Sequence, residues 1–193
     1  MPEVVKEKPS QTPLSEGYLV VDRKKCAGCI ACMLACSLVH EGKTNPSLSR
    51  IQIVQSTWER FPEDIHLATC RQCVSPECVE ACPTGALHVD AANGNVRTVD
   101  ESLCDGCQVC IDACPYKPSR VIWNHERNVA MKCDLCADTP YWSQKGGPDG
   151  KQACVEVCPM RAIKLVTKVP EEAVGYEVNL RNEHWGWLGY PTD

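Results

Sequence analysis

The sequence predicts an α+β fold of two small modules, one assembled from discontinuous stretches of chain, with an extended arm before them and a tail after them. Three observations carry that expectation. Sixteen cysteines fall into four groups of four that repeat one pattern. The stretches between the groups are short and strand-like. Large apolar side chains are scarce: 193 residues include one Phe, against 12 Gly and 14 Pro. A chain of this length forms one large domain or two small ones, and a thin core needs disulfides or metals as staples.

Residues 1–17, "MPEVVKEKPSQTPLSEG", read as the arm. They contain neither an apolar run of signal-peptide length nor paired arginines, so no secretory signal is visible. Residues 18–59 open the outer module with Cys26, Cys29, Cys32 and Cys36 in "CAGCIACMLAC". They continue into "SRIQIVQ" (49–55), which alternates as a strand. Residues 60–127 are the inner module, holding Cys70, Cys73, Cys78 and Cys82, then Cys104, Cys107, Cys110 and Cys114. Between these groups "ALHVDAANGNVRTVD" (86–100) places two strand-like runs around Asn93-Gly94, a hairpin signal. Residues 128–169 complete the outer module with Cys133, Cys136, Cys154 and Cys158, and Pro140, Gly146, Gly147, Pro148 and Gly150 mark a loop inside it. Residues 170–193 form a tail whose Trp185, Trp187 and Tyr190 are residue types enriched at interfaces.

The fourth group looks unlike the rest. Seventeen residues separate Cys136 from Cys154, and alone the two cysteine pairs read as a zinc site. The closing residues of each group correct that impression: CMLAC, CVEAC, CIDAC and CVEVC share one form, and Pro follows in three cases, at Pro83, Pro115 and Pro159. The fourth group is the same unit with a loop inserted before its third cysteine. Ser37 stands where the first group lacks that proline, which predicts an altered turn there.

Cys-x2-Cys-x2-Cys-x3-Cys-Pro is the run that ligates 4Fe–4S clusters. A compact loop gathers three thiolates on one face of a cubane while backbone N–H groups point at the sulfurs. Gly28 and Gly106, each just before a second cysteine, let the backbone pass close to the cluster. In two-cluster ferredoxins the fourth cysteine of one run serves the other cluster. That rule predicts two ferredoxin-like modules and four 4Fe–4S clusters. Cys26, Cys29 and Cys32 take Cys158; Cys133, Cys136 and Cys154 take Cys36. Cys70, Cys73 and Cys78 take Cys114; Cys104, Cys107 and Cys110 take Cys82. The five His residues follow no consistent spacing and are left without a ligand role.

Dense cysteine without a signal suggests a cytoplasmic protein with reduced thiols, although a partner could carry an export signal for both. The longest apolar stretch, Ile30 to Val39, is about half of the ~20 residues that span a bilayer, so no direct membrane span is expected. The formal charge of −5 shows no basic nucleic-acid footprint. Sixteen thiolates add sixteen negative charges and four 2+ cores return about eight, which brings the loaded protein near −13. Lys24, Lys25, Arg71, Lys117, Lys132 and Arg161 flank the cysteine groups and are candidates to offset that charge; the plain alternative for each is a solvated surface side chain.

The four groups, "SPEC" in the second, "CPTGAL" at 82–87 and the insertion in the fourth resemble the four-cluster subunits of molybdenum and tungsten bis-pterin oxidoreductases, the dimethyl sulfoxide reductase beta-subunit type. The resemblance covers about residues 18–169. It is shared with subunits that serve hydrogenases and carbon monoxide dehydrogenases. More narrowly, "CSLVHEGKTNPSLSRIQI" (36–53) and "NLRNEHWGWLGYPTD" (179–193) resemble electron-transfer subunits of aldehyde oxidoreductase-type tungsten enzymes, such as the ATP-independent benzoyl-CoA reductase. The resemblance implies a subunit that is not an enzyme by itself. It would pass electrons between a catalytic molybdenum/tungsten-pterin subunit and a further donor or acceptor, a ferredoxin or flavoprotein. No P-loop, GxGxxG, nucleophile elbow or HExxH contradicts that. The competing readings are a free polyferredoxin and a zinc-stabilised scaffold.

Overall fold

A computed structural model describes residues 12–61, 63–142 and 151–169. Residues 1–11 of the arm, residues 143–150 of the inserted loop and the whole aromatic tail lie outside the described residues. Helix and strand are mixed, as expected. Four antiparallel pairs make up the sheets: β1 (Tyr18–Val21) with β8 (Ile163–Val166), β2 (Gln52–Gln55) with β3 (Ile65–Ala68), β4 (Leu87–Asp90) with β5 (Val96–Val99), and β6 (Val121–Asn124) with β7 (Val129–Lys132). The β1–β8 pair, in register Tyr18 opposite Val166, joins the two ends of the outer module. The β2–β3 and β6–β7 hairpins run across residues 59/60 and 127/128, so the two halves share strands as well as a surface.

Each cysteine group runs into a helix. α2 (Glu77–Glu80), α3 (Val109–Asp112) and α4 (Ala153–Glu156) last one turn, whereas α1 (Ala31–Glu41) lasts three. The cause is local. Pro83, Pro115 and Pro159 disfavour the α conformation in the cysteine before them, and the helix stops short of it. Ser37 imposes no such limit, so Cys36 sits mid-helix and the chain coils on until Gly42, whose N–H closes on Leu38 O at 2.9 Å with φ +69°. The altered turn expected at Ser37 is therefore a continued helix. Cys32, Met33, Cys36, Val39 and His40 make its buried face, and α1 packs on α4 while α2 packs on α3.

The Asn93-Gly94 hairpin forms between β4 and β5, yet five residues connect the strands instead of two. Asp90 accepts the Ala92 N–H at 3.0 Å and starts a 3-10 turn, after which Gly94 and Asn95 both take positive φ. The core is as thin as the composition implies. Its main cluster sets Leu19, Val21, Ile51, Leu67 and Ile163 among cysteines from three groups, so thiols occupy volume that aliphatic side chains fill elsewhere.

Candidate iron–sulfur sites

One backbone device recurs in all four groups. The residue before the second cysteine is left-handed: Gly28 at φ +64°, Gln72 at +46°, Gly106 at +79° and Leu135 at +56°. The turn aims an N–H at the first sulfur, Gly28 to Cys26 and Gln72 to Cys70, both at 3.5 Å. Gly adopts this conformation without steric cost. A Cβ at Gly106 would meet Asn128 O at 3.0 Å and Trp123 at 3.3 Å, so the close approach there is to protein as well. Gln72 and Leu135 bear a penalty of roughly 1–2 kcal/mol each. Gln72 is held by its side chain, which donates to Cys133 O at 2.9 Å and accepts the Arg97 N–H at 2.8 Å. Nothing in the residue types Gln and Leu signals this turn; only alignment on the repeat does.

A second device serves the fourth cysteine of each group. Cys36 accepts the Arg50 N–H at 3.3 Å, Cys82 that of Leu87 at 3.4 Å, Cys114 that of Arg120 at 3.2 Å, and Cys158 that of Ala162 at 3.2 Å. In the last three the donor lies four to six residues on, where Pro has turned the chain back. In the first, the long helix postpones the return by fourteen residues. The fourth group thus behaves as a copy of the others in both devices.

All sixteen cysteines are free thiols. Cys26, Cys29, Cys32 and Cys158 line one cavity, and Cys36, Cys133, Cys136 and Cys154 line another. Burial pushes the Cys32 thiol up to about 12, with Cys26 and Cys158 adding to it. Burial likewise pushes Cys136 up to about 12, against the Ala153 N–H, with Asp134 and Cys36 adding to the rise. In the inner half, burial raises Cys78, whose neighbouring charges include Cys70 and Cys114. Cys110 is pushed up to about 11 by burial, then by Cys82, Cys78, Cys104 and Cys107. Buried thiols that repel one another's ionisation around a void suit a cationic group that holds them as thiolates, so the residues present fit iron–sulfur clusters. Among the described residues, no three His, Cys, Asp or Glu side chains converge closely enough to hold a single metal ion.

The sets also adjoin one another. The charges acting on Cys154 include Cys32, those acting on Cys133 include Cys70, and those acting on Cys110 include Cys78. Cys29 and Cys107, one at each end of this succession, are exposed.

Charged side chains between the groups complete the picture, and most escaped the sequence reading. Of the six flanking cations, Lys24, Lys117 and Arg161 are exposed, Lys25 and Arg71 are half-buried, and only Lys132 is buried. Arg50, Arg97 and Arg120 lie far from any cysteine in sequence order or look unremarkable there, yet Arg97 and Arg120 are buried and Arg50 nearly so. Arg50 meets Asp134 at 3.1 Å and Glu41 at 4.0 Å. His40 spans Cys36 O at 2.8 Å and Asp134 Oδ1 at 3.0 Å. Burial opposes its charge, but Asp134 and then Cys36 prevail and raise it to about 9. Burial also acts to raise Cys36, yet His40 and Arg50 outweigh it and the thiol is lowered.

A protein with this repeat and these thiol sets is a small iron–sulfur protein of the dicluster class. Comparison with known families agrees: the 4Fe-4S dicluster domain matches residues 58–168, and a second family of that description matches 18–93. The chain belongs to the 4Fe-4S dicluster family, and two such domains with sixteen cysteines account for four clusters. It is 41% identical to Protein NrfC of Escherichia coli over 75% of this chain and 62% of that protein. It is 36% identical to the thiosulfate reductase electron transfer subunit PhsB of Salmonella typhi, over 79% of this chain and 77% of that one. Among solved structures, the benzoyl coenzyme A reductase complex BamBC aligns at 18% identity with a TM-score of 0.43, covering 90% of this chain and 94% of that chain. The chain is an iron–sulfur electron-transfer subunit and not an enzyme by itself. Among the described residues no helix is long and apolar enough to cross a membrane.

Proposed function

We propose that the chain conducts electrons one at a time through four clusters, between a catalytic molybdenum/tungsten-pterin subunit and a ferredoxin or flavoprotein, in the cytoplasm. The ligand sets are Cys26, Cys29, Cys32 and Cys158; Cys133, Cys136, Cys154 and Cys36; Cys70, Cys73, Cys78 and Cys114; and Cys104, Cys107, Cys110 and Cys82. When bound, the clusters supply reversible one-electron redox chemistry. The protein's part is to orient sulfurs with backbone donors, to keep water from the inner sites, and to present the outer ones. The observation that carries this reading is the succession of adjoining sets, Cys32 beside Cys154, Cys133 beside Cys70 and Cys78 beside Cys110, with an exposed cysteine at each end. The pterin partner rests on the inserted fourth group, "SPEC" and "CPTGAL", together with the relatives' being subunits of larger enzymes.

Anaerobic purification should yield a brown protein with about sixteen iron atoms per chain, four for each 4Fe–4S group. A colourless chain carrying zinc would sink the reading. Co-purification from the native host should bring down a molybdenum- or tungsten-containing subunit; a chain that elutes alone favours a free polyferredoxin instead.

A further inference from the structure

Three buried cations lie near one thiol set, and among the described residues no carboxylate pairs with them. Lys132 ends β7 at 3% exposure, and the thiols whose charge acts on it are first Cys70 and Cys78, then Cys133. Arg97, on β5, has no exposed surface, and its charge faces Cys70, Cys73 and Cys78. Its guanidinium donates to two carbonyls, Asn95 O at 2.7 Å and Pro13 O at 2.8 Å, while its Nε has no hydrogen-bond partner among the described residues. Arg120 is 6% exposed, donates to Pro118 O at 3.1 Å, and faces Cys114 and Cys70. Its other contacts are the His66 ring nitrogen at 3.2 Å and the Tyr116 ring, which Arg71 also covers at 4.3 Å. Among the described residues no ion pair joins Lys132, Arg97 or Arg120 to a carboxylate. Burial lowers both guanidinium pKa values, yet an arginine keeps its proton in a protein.

The other sets differ. Beside Cys36, Arg50 is matched by Asp134 at 3.1 Å, which also takes the His40 ring, and Glu41, 4.0 Å from Arg50, is paired with Arg127, itself met by Glu101. Beside Cys26 the nearby charges include Asp22, and at Cys107 the backbone N–H binds the Asp105 carboxylate at 3.1 Å. Exposed Cys29 and Cys107 also open those two sites to water, which screens charge.

We propose that Lys132, Arg97 and Arg120 make the Cys70, Cys73, Cys78 and Cys114 site the station that holds an arriving electron most strongly. The proposal rests on the ligand sets given above. Reduction there takes one electron from a one-electron donor and adds one negative charge to the site; no bond forms and no proton has to move. In a poorly screened interior, a cation that faces thiolates and binds only neutral carbonyls stabilises that added charge. A cation already matched by a carboxylate stabilises it far less. Net charge and hydrogen bonding near the sulfurs are what set the potential of such a site.

Redox titration of the fully loaded protein, followed by electron paramagnetic resonance, tests this. In Lys132→Gln the highest of the four midpoints should fall by about 59 mV or more, a tenfold loss in the reduced-to-oxidised ratio of a one-electron couple, with a smaller fall at the adjoining Cys133 set and the two outer midpoints in place. Lys132→Arg should restore it, and Cys114→Ser should alter that same signal. Arg120→Gln gives an independent second reading in the same direction. A full iron content with the highest midpoint unmoved in both Gln variants overturns this proposal alone. So does a Cys114→Ser protein whose highest-potential signal is intact. An iron content in the unaltered protein well below sixteen overturns the ligand sets, and this proposal with them.

Discussion

Two of the proposed ligand sets adjoin at Cys133 and Cys70, and each has buried cations near it. At Cys36, Cys133, Cys136 and Cys154, Asp134 is the hub: it takes Arg50 at 3.1 Å, His40 at 3.0 Å, and the N–H groups of Cys136 and Asp138. Burial alone would raise the Asp134 carboxyl, but His40 and Arg50 hold it well below the usual range. At Cys70, Cys73, Cys78 and Cys114, Arg97 and Arg120 meet carbonyls and a ring, and Lys132 is buried with Cys70 and Cys78 as the first charges acting on it. A count alone, Arg50 and His40 against Lys132, Arg97 and Arg120, separates the two sites only a little. What separates them is the partner each cation already has, because an ion pair presents little net charge to a third group, while a carbonyl-bound cation presents nearly all of its own.

The comparison can be broken most severely by removing one side. Cys154→Ser should cost the protein about four of roughly sixteen iron atoms and leave the signals of the inner sets in place, as read by iron assay and paramagnetic resonance. Unchanged iron would remove Cys154 from the ligands. Asp134→Asn makes the first site resemble the second, since it strands Arg50 and His40 without their shared carboxylate. Breaking such a buried pair costs about 3–5 kcal/mol, to be seen as a lower urea midpoint, and the freed positive charge should raise that site's potential. The smallest effect belongs to an exposed pair. Lys43 meets Glu126 with both side chains about half exposed, so Lys43→Gln should change stability by less than about 1 kcal/mol and move no midpoint potential. A shift there would mean that charge acts over longer range than the comparison assumes.

The cysteine repeat carried much of the fold in plain view. Aligning CVEVCP on its three counterparts identified the fourth group despite its insertion, and the structure repeats both backbone devices there, at Leu135 and at Cys158. The strand at 49–55 and the hairpin around Asn93-Gly94 were legible because alternation and turn chemistry are local. The missing proline at Ser37 is plain in the sequence, but it predicts an altered turn where the structure has a longer helix. Position beside a cysteine proved a weak guide to buried charge, since it grouped Lys132 with the exposed Lys24, Lys117 and Arg161. Arg50 and Arg97 carry no mark at all in the sequence, because what matters for them is contact with residues from other segments.

Taken by itself, then, the sequence determined the chemistry of the ligands, the number of repeats and the local turns, all of which depend on residues within a few positions of one another. Tertiary structure decided which thiol sets adjoin, which are exposed at Cys29 and Cys107, and which cations keep their charge unmatched. The physical reason is range. Thiol spacing and proline act through the covalent backbone, whereas the field at a sulfur sums over every charge that folding brings near, and only the folded chain says whether Lys132 or Asp134 lies beside it.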